Sequence, residues 1–366
     1  MIRLMRCVVV AALLATGIVY AADAGSGPAT TFSPKSAGEY LDGRMAWWIE
    51  WKTSARAQGT FCVSCHTALP YALGRQALHT ALGETGPSLN EVKLIENVSK
   101  RVGLWQEIDP FYNDEKSGAG KALESRGTES ILNALVLVSN PSRPGSLTPS
   151  ADQALRNMWA LQIQTGDSAG AWPWLQFHNA PWEGDSQFFG ATLAALAVGS
   201  APVSYRSSPG VEEGLSKLKA YLSREQAHQK LIDRVMLLWA SAKMPGLISA
   251  AEGTSILGEI RSRQQADGGF SLSMFVGDWK RRDDTSLEQK SDGYATAVVS
   301  VALLENGAKV ADRTLKGALA WLKSHQEPDG RWLAYSLNKQ RDLASDPGKF
   351  MSDAATAYAV LALRAR

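Results

Sequence analysis

Two thiols and an imidazole stand together at Cys62-Val63-Ser64-Cys65-His66. Cysteines three apart, followed directly by histidine, form the C-x-x-C-H pattern by which a c-type haem is attached. At that spacing each thiol can add to one vinyl group of the porphyrin, and the histidine is placed to ligate the iron from one face. The chain has three cysteines. Cys7 lies in an N-terminal apolar run, so the rest of the chain keeps only Cys62 and Cys65. Three readings of the motif stay open from sequence. They are one covalent haem c, a local disulfide or thiol redox pair, and a metal site that still needs a fourth ligand. Disulfides in secreted proteins usually close longer loops, and no βαβ pattern surrounds the motif. Haem c is therefore the leading expectation.

A haem held at this loop takes His66 as its proximal iron ligand. A second axial ligand has three candidates, in the order His178, Met351 and Met274, because imidazole is a strong iron ligand and His178 sits in a long loop. Haem propionates want cations, for which Arg281, Arg282, Lys339 and Arg341 are candidates; each taken singly reads first as a solvated loop charge. Met158 and Met236 fall inside helical patterns and read as core. His79, His228 and His325 read as surface or capping residues.

The frame that must position these groups reads as helical. The 366 residues are 45% hydrophobic and 20% charged, with formal net charge +2, which fits a globular chain with a sizeable core. Nothing in the charge pattern points to nucleic acid or a basic membrane-binding face. Arg3 and Arg6, the apolar run Cys7–Tyr20 and the small-residue site Ala22-Asp23-Ala24 read as a secretory signal over residues 1–24. No later stretch is long and apolar enough to span a bilayer. The expected location is periplasmic or secreted. Residues 25–36, rich in Gly, Ser, Thr and Pro, read as a flexible lead-in, and residues 37–366 as one domain.

Within that domain an amphipathic pattern recurs roughly every 50–60 residues. The clearest copy runs Lys316 to Leu322, then Gln326 and Gly330-Arg331-Trp332. Others are Ile260–Phe270 with Gln265, Leu155–Trp172 with Gln164, and a worn copy at Tyr221-Leu222 with Gln226. Each is followed by a helix apolar nearly all round, hence buried on most sides: Glu129–Val138, Ser186–Val198, Leu231–Ala242, Gly293–Leu304 and Ala354–Leu363. Glu129, Asp185, Asp233, Asp292 and Asp353 stand at or near the expected starts of these helices and read first as N-terminal caps. The first repeat places an outer helix at about Ser36–Ala55, then Gly59-Thr60-Phe61, the Cys62–His66 loop, and an inner helix beginning near Pro70. A second outer helix is expected at Asn90–Trp105. Six outer and six inner helices result.

The Lys316–Trp332 stretch resembles the QW motif of the squalene and terpenoid cyclase family, whose fold recurs in protein prenyltransferase β subunits. The resemblance implies an all-α fold, an α6/α6 toroid in which the glutamine and tryptophan tie one outer helix to the next. It carries less of the chemistry. The cyclase acid motif D-x-D-D-T-A finds only Asp292-Gly293-Tyr294-Ala295-Thr296-Ala297, and a phenol is far too weak an acid to protonate an alkene. A prenyltransferase zinc site is half matched by Asp292 and Tyr294 and lacks a histidine near Asp353.

The leading functional expectation is an exported single-haem protein that transfers electrons or senses a redox ligand, with a redox protein as partner. One alternative is a terpenoid-type enzyme with altered acid chemistry, using Asp292, Tyr294 or Asp353. Another is a binding module whose tryptophan-rich loops, including Trp174 and Trp182, hold a glycan or apolar ligand.

Overall fold

A computed structural model describes residues 32–364 apart from 142, 144 and 185. The expected signal and most of the lead-in lie outside these residues, as does Asp185. The described residues are mostly helical. In chain order the α-helices are α1 (Pro34–Glu50), α2 (Ala68–Gly74), α3 (His79–Leu82), α4 (Leu89–Gly103), α5 (Asp114–Ser117), α6 (Lys121–Ser139), α7 (Pro149–Ala160), α8 (Phe188–Ser200), α9 (Val211–Glu225), α10 (Leu231–Lys243), α11 (Ala250–Ser262), α12 (Gly293–Glu305), α13 (Arg313–Ser324) and α14 (Phe350–Arg364). The one sheet among them is a hairpin of β1 (Ala55–Arg56) and β2 (Thr60–Phe61), antiparallel with Ala55 opposite Phe61. No described helix is long and apolar enough to cross a membrane.

The helices sort into two kinds. α1, α4, α7, α9, α11 and α13 bury one stripe, and most start with a side-chain cap such as Ser88, Thr148, Ser249 or Asp312. α8 and α12 are buried almost all round, as the run of Ala, Val, Thr and Leu in each dictates. α6 packs against α2 and α8, α10 against α8 and α12, and α14 against both α12 and α2. The approach of α2 to α14 is close because position 74 is glycine: a Cβ there lies 2.4 Å from the Ala357 carbonyl oxygen. At the C-terminal ends of this set, side-chain amides cross from helix to helix. Gln76 donates to the Ser139 carbonyl, Asn140 to that of Ala72, and Asn306 to that of Leu238, at 3.0, 3.2 and 2.7 Å. The Ala72 and Ser139 carbonyls are among those that a helix end leaves without intrahelical partners.

The repeat glutamines stitch the other set together. The Gln326 amide donates to the Ser33 and Gly330 carbonyls and its oxygen accepts from the Ser33 N–H, at 3.1, 3.0 and 2.7 Å. The start of α1 is thereby held by the residues that follow α13. Gly330, at φ +92°, lies against the first turn of α1, where a Cβ would sit 2.0 Å from the Ser36 carbonyl oxygen. The same pattern joins the turn after α11 to α13 and the turn after α7 to α9. There, however, the bridging residues are Gln264, to Gly268 and Thr314, and Gln162, to Gly170 and Gly214. The expected Gln265 and Gln164 instead bond local groups and Lys217. Gln226 reaches Glu252 in the first turn of α11, at 2.6 Å. The indoles of Trp172 and Trp332 donate to Met158 and Leu322, at the ends of the helices before them.

Two expected boundaries move. The first outer helix ends at Glu50, because residues 51–61 turn into the hairpin. Helix α6 begins at Lys121, so Glu129 lies mid-helix and is not a cap; it forms a buried ion pair with Arg101 of α4, at 2.5 Å. Asp292 is the N-cap of α12, accepting from Ala295 at 2.9 Å. Asp233 and Asp353 sit in the first turns of α10 and α14.

Candidate functional site at the Cys62–His66 loop

The hairpin delivers the motif. Cys62 continues β2, its N–H bonded to the Ser54 carbonyl at 2.8 Å, and its carbonyl accepts from the Trp48 indole at 2.7 Å. Asn97 of α4 clasps the Phe61 backbone from both sides, at 2.8 and 3.1 Å. Ser64, inside the motif, accepts from the N–H groups of Thr67 and Ala68 at 3.2 and 3.1 Å and so turns the chain into α2. Phe61 through Cys65 are all buried.

His66 is held by a relay. Thr67 donates to Asp353 Oδ2 at 2.8 Å, so its hydroxyl oxygen accepts from His66 Nδ1, also at 2.8 Å. Asp353 is 2% exposed and takes two further bonds, from Tyr40 and from Arg44 Nε, each 2.8 Å. A proton on Nδ1 leaves Nε2 with its lone pair free, the tautomer a metal-ligating histidine needs. Burial, then the charges of Arg44 and Arg341, push the His66 pKa down to about 3, so the ring is neutral at ordinary pH. Its orientation is fixed by Phe350, stacked at 3.8 Å, and by Trp48, edge-on at 5.0 Å.

His66 opens on a cavity of 240 Å³ that is also lined by Trp182, Glu183, Asn338, Arg341 and Met351. The structure thus brings two of the other sequence candidates, Met351 and Arg341, to the same cavity as His66. Arg341 makes no hydrogen bond or ion pair with the described residues. The remaining candidates lie elsewhere. His178 stacks on Trp279 at 4.0 Å, in a left-handed backbone conformation. The Met274 sulfur accepts from Gln265 at 3.5 Å. Arg281 is buried and committed to the Ser336 and Ser286 carbonyls and to Glu288. Lys339 is exposed.

Cys62 and Cys65 are free thiols, each 6% exposed, and neither lines the cavity. Burial pushes the Cys62 thiol up to about 12 and Cys65 well above its ordinary value. A redox dithiol wants a depressed pKa, so these two are poorly set for exchange chemistry. Among the described residues no three His, Cys, Asp or Glu side chains converge as an ion site requires. Cys62, Cys65 and His66 therefore do not form one cluster around a point. Porphyrin attachment does not ask them to, since the sulfurs meet the ring edge and the imidazole meets its centre.

Glu183 is a residue that sequence did not single out and that the structure puts at the cavity. Burial raises its carboxyl to about 7, with Asn179 and Lys121 acting the other way. Thr67, Arg44 and Tyr40 were also missed as site residues. A threonine directly after the motif histidine was the available signal for the first; the other two reach the site only through tertiary packing on Asp353.

The cyclase-type candidates are placed structurally. Both Asp292 oxygens accept backbone N–H groups, of Ala295 and Leu272. Tyr294 is fully buried, and its hydroxyl has no partner among the described residues. Asp353 serves the His66 relay, and none of the three lines the cavity at His66. Trp174 is 1% exposed and donates to the Trp182 carbonyl at 2.8 Å, which leaves it no face for a sugar. No protein-family model matches the chain, and no curated protein matches it either.

Proposed function

We propose that this protein is an exported α/α toroid carrying one covalent haem c at the mouth of its inner helix ring. The toroid reading rests on α2, α6, α8, α10, α12 and α14 each packing on the next, with α14 on α2, and on Gln326 joining the last outer helix to the first. The haem reading rests above all on His66: a C-x-x-C-H histidine with Nδ1 tied through Thr67 to a buried carboxylate and Nε2 left for a metal.

The residue types match the group, while both thiols lie outside the lining of the cavity at His66. Cys62 and Cys65 would hold it as thioethers and His66 as axial ligand; the iron would supply one-electron chemistry or a site for a small ligand. Asp353, through Thr67, keeps the proton on Nδ1 and so fixes the tautomer and orientation of the ring. Arg341 offers a cation with no competing ion pair, suited to a propionate. Met351 is the second-ligand candidate that shares the cavity. At 240 Å³ the cavity is smaller than the ~300–1,000 Å³ of sites that enclose drug-sized ligands. Because the thiols are buried and held protonated, attachment must precede closure of the core around them.

The test is intact mass and absorption spectrum after export with a c-type maturation system. The expected result is a mass increased by one haem and a Soret band, both lost in Cys62→Ala/Cys65→Ala. A colourless chain of unmodified mass under those conditions refutes the reading.

A further inference from the structure

Between α7 and α8, residues 177–184 form a strap beside the Cys62–His66 loop. Asn179 and Glu183 pinch it together, their backbones exchanging hydrogen bonds at 2.7 and 3.0 Å. Side chains from outside hold it by its carbonyls. Asn338 donates to His178 at 2.9 Å, Trp174 to Trp182 at 2.8 Å, and Arg282 to Phe177. The strap walls the cavity at His66, to which Phe177, Asn179, Ala180, Trp182 and Glu183 all contribute.

A porphyrin needs that ground. Attachment adds each S–H across one vinyl C=C, sulfur to one carbon and hydrogen to the other. The ring edge must therefore reach Cys62 and Cys65 while its centre meets His66. Neither thiol lines the cavity. The Trp182 ring lies 5.7 Å from that of His66, and the Glu183 charge acts on both thiols. Two strap residues thus neighbour the imidazole and the sulfurs at once.

Of the two segments, the motif loop is the firmer. Asn97 clasps Phe61 from both sides, Trp48 holds the Cys62 carbonyl, and Thr67 with Asp353 holds His66. The strap instead carries three costs in this position. The Trp182 indole N–H is buried without a partner among the described residues. Burial raises the Glu183 carboxyl to about 7, and its side-chain donor, Asn179, stands off at 3.5 Å. His178 has φ +51°. Water relieves the first two costs, and release of the backbone relieves the third.

We infer that the strap is a cover with two positions: the one described, and one swung away from the motif loop when haem c is attached, with Trp182 and Glu183 giving place to the porphyrin. This rests on the haem reading of the Cys62–His66 loop.

Hydrogen exchange read by mass spectrometry tests it, on the full chain exported without and with a c-type maturation system. In the loaded chain the peptide over residues 177–184 should exchange at least about tenfold faster than in the haem-free chain, while peptides from α8 and α12 stay within about twofold. Asn338→Ala removes an anchor of the described position only. It should speed strap exchange about fivefold in the haem-free chain, as loss of one hydrogen bond implies, and less than about twofold in the loaded chain. A chain carrying one haem by mass and Soret band, with its strap as protected as in the haem-free chain, overturns the inference and leaves the haem reading standing. An equal effect of Asn338→Ala in both forms does the same. A chain that never gains the haem mass overturns both.

Discussion

Replacing Gly330 by alanine tests the seam between the last outer helix and the first. Two costs are expected. The backbone there has φ +92°, and an L side chain in that region loses about 1–2 kcal/mol. The added Cβ would also lie 2.0 Å from the Ser36 carbonyl oxygen and 2.9 Å from the Ala37 nitrogen. These are backbone atoms in the first turn of α1, so no rotamer change relieves the overlap. Overpacking of that kind costs about 1–3 kcal/mol, and here the upper end applies. The sum is about 4–5 kcal/mol. Gly307→Ala supplies the control: its φ is +80°, and nothing lies within 4 Å of its Cβ, so only the first cost of about 1–2 kcal/mol remains. In urea, with a slope of about 3 kcal/mol/M, the two midpoints should differ by about 1 M. Far-UV circular dichroism and tryptophan fluorescence should report the same transition for Gly330→Ala, because α1 also anchors Asp353 and the motif loop. Equal midpoints for the two variants would show that α1 does not depend on the seam. A separate early transition in Gly330→Ala would show that it does not couple to the rest.

Three further outcomes follow from the buried charges and the relay. Arg101→Met leaves Glu129 buried with only the more distant Arg126, at 3.9 Å, and should cost about 3 kcal/mol, while Arg101→Met/Glu129→Leu should recover most of it; denaturant midpoints of both decide. Between pH 4.5 and 6.5 the stability should fall as pH rises. Glu183, Asp233 and Asp292, each raised to about 7, hold protons there that the unfolded chain has released, so they contribute stability lost as pH climbs through 7. His66, lowered to about 3, works the other way, since its unfolded form takes up a proton below about 6.5. Three groups against one leave the net slope negative, and thermal melts that rise with pH across that window would contradict it. In the haem-loaded protein, Thr67→Val should loosen the His66 ring and lower its basicity, raising the reduction potential; redox titration against the wild type measures this, and an unchanged potential would remove Thr67 from the relay.

Much of the helical frame was legible because burial writes itself into composition. The run Gly293–Leu304 is apolar on every side, and the helix there starts at the expected residue, behind the expected cap, Asp292. Glu129 was misread because α6 begins in a polar stretch, Lys121–Thr128, where periodicity is weak; its true partner, Arg101, is 28 residues away. The repeat glutamines show a finer limit. Gln264 and Gln265 are neighbours, Gln162 and Gln164 are separated by one residue, and only the bond to a backbone carbonyl of the next helix distinguishes the bridging member. At the site, His66 was singled out by local spacing. The Asp353 relay, the burial of both thiols and the choice of Met351 over His178 at the cavity come from chain segments far apart in sequence.

The long closures at the seam and the relay also set a schedule. Ser33 waits for Gln326, 293 residues later, and Thr67 waits for Asp353, 286 residues later. Residues at the start of the described chain thus complete their hydrogen bonds only with residues near its end. The seam and the relay can therefore close only once the last helix has formed, so the final setting of the motif loop is among the last things the fold completes.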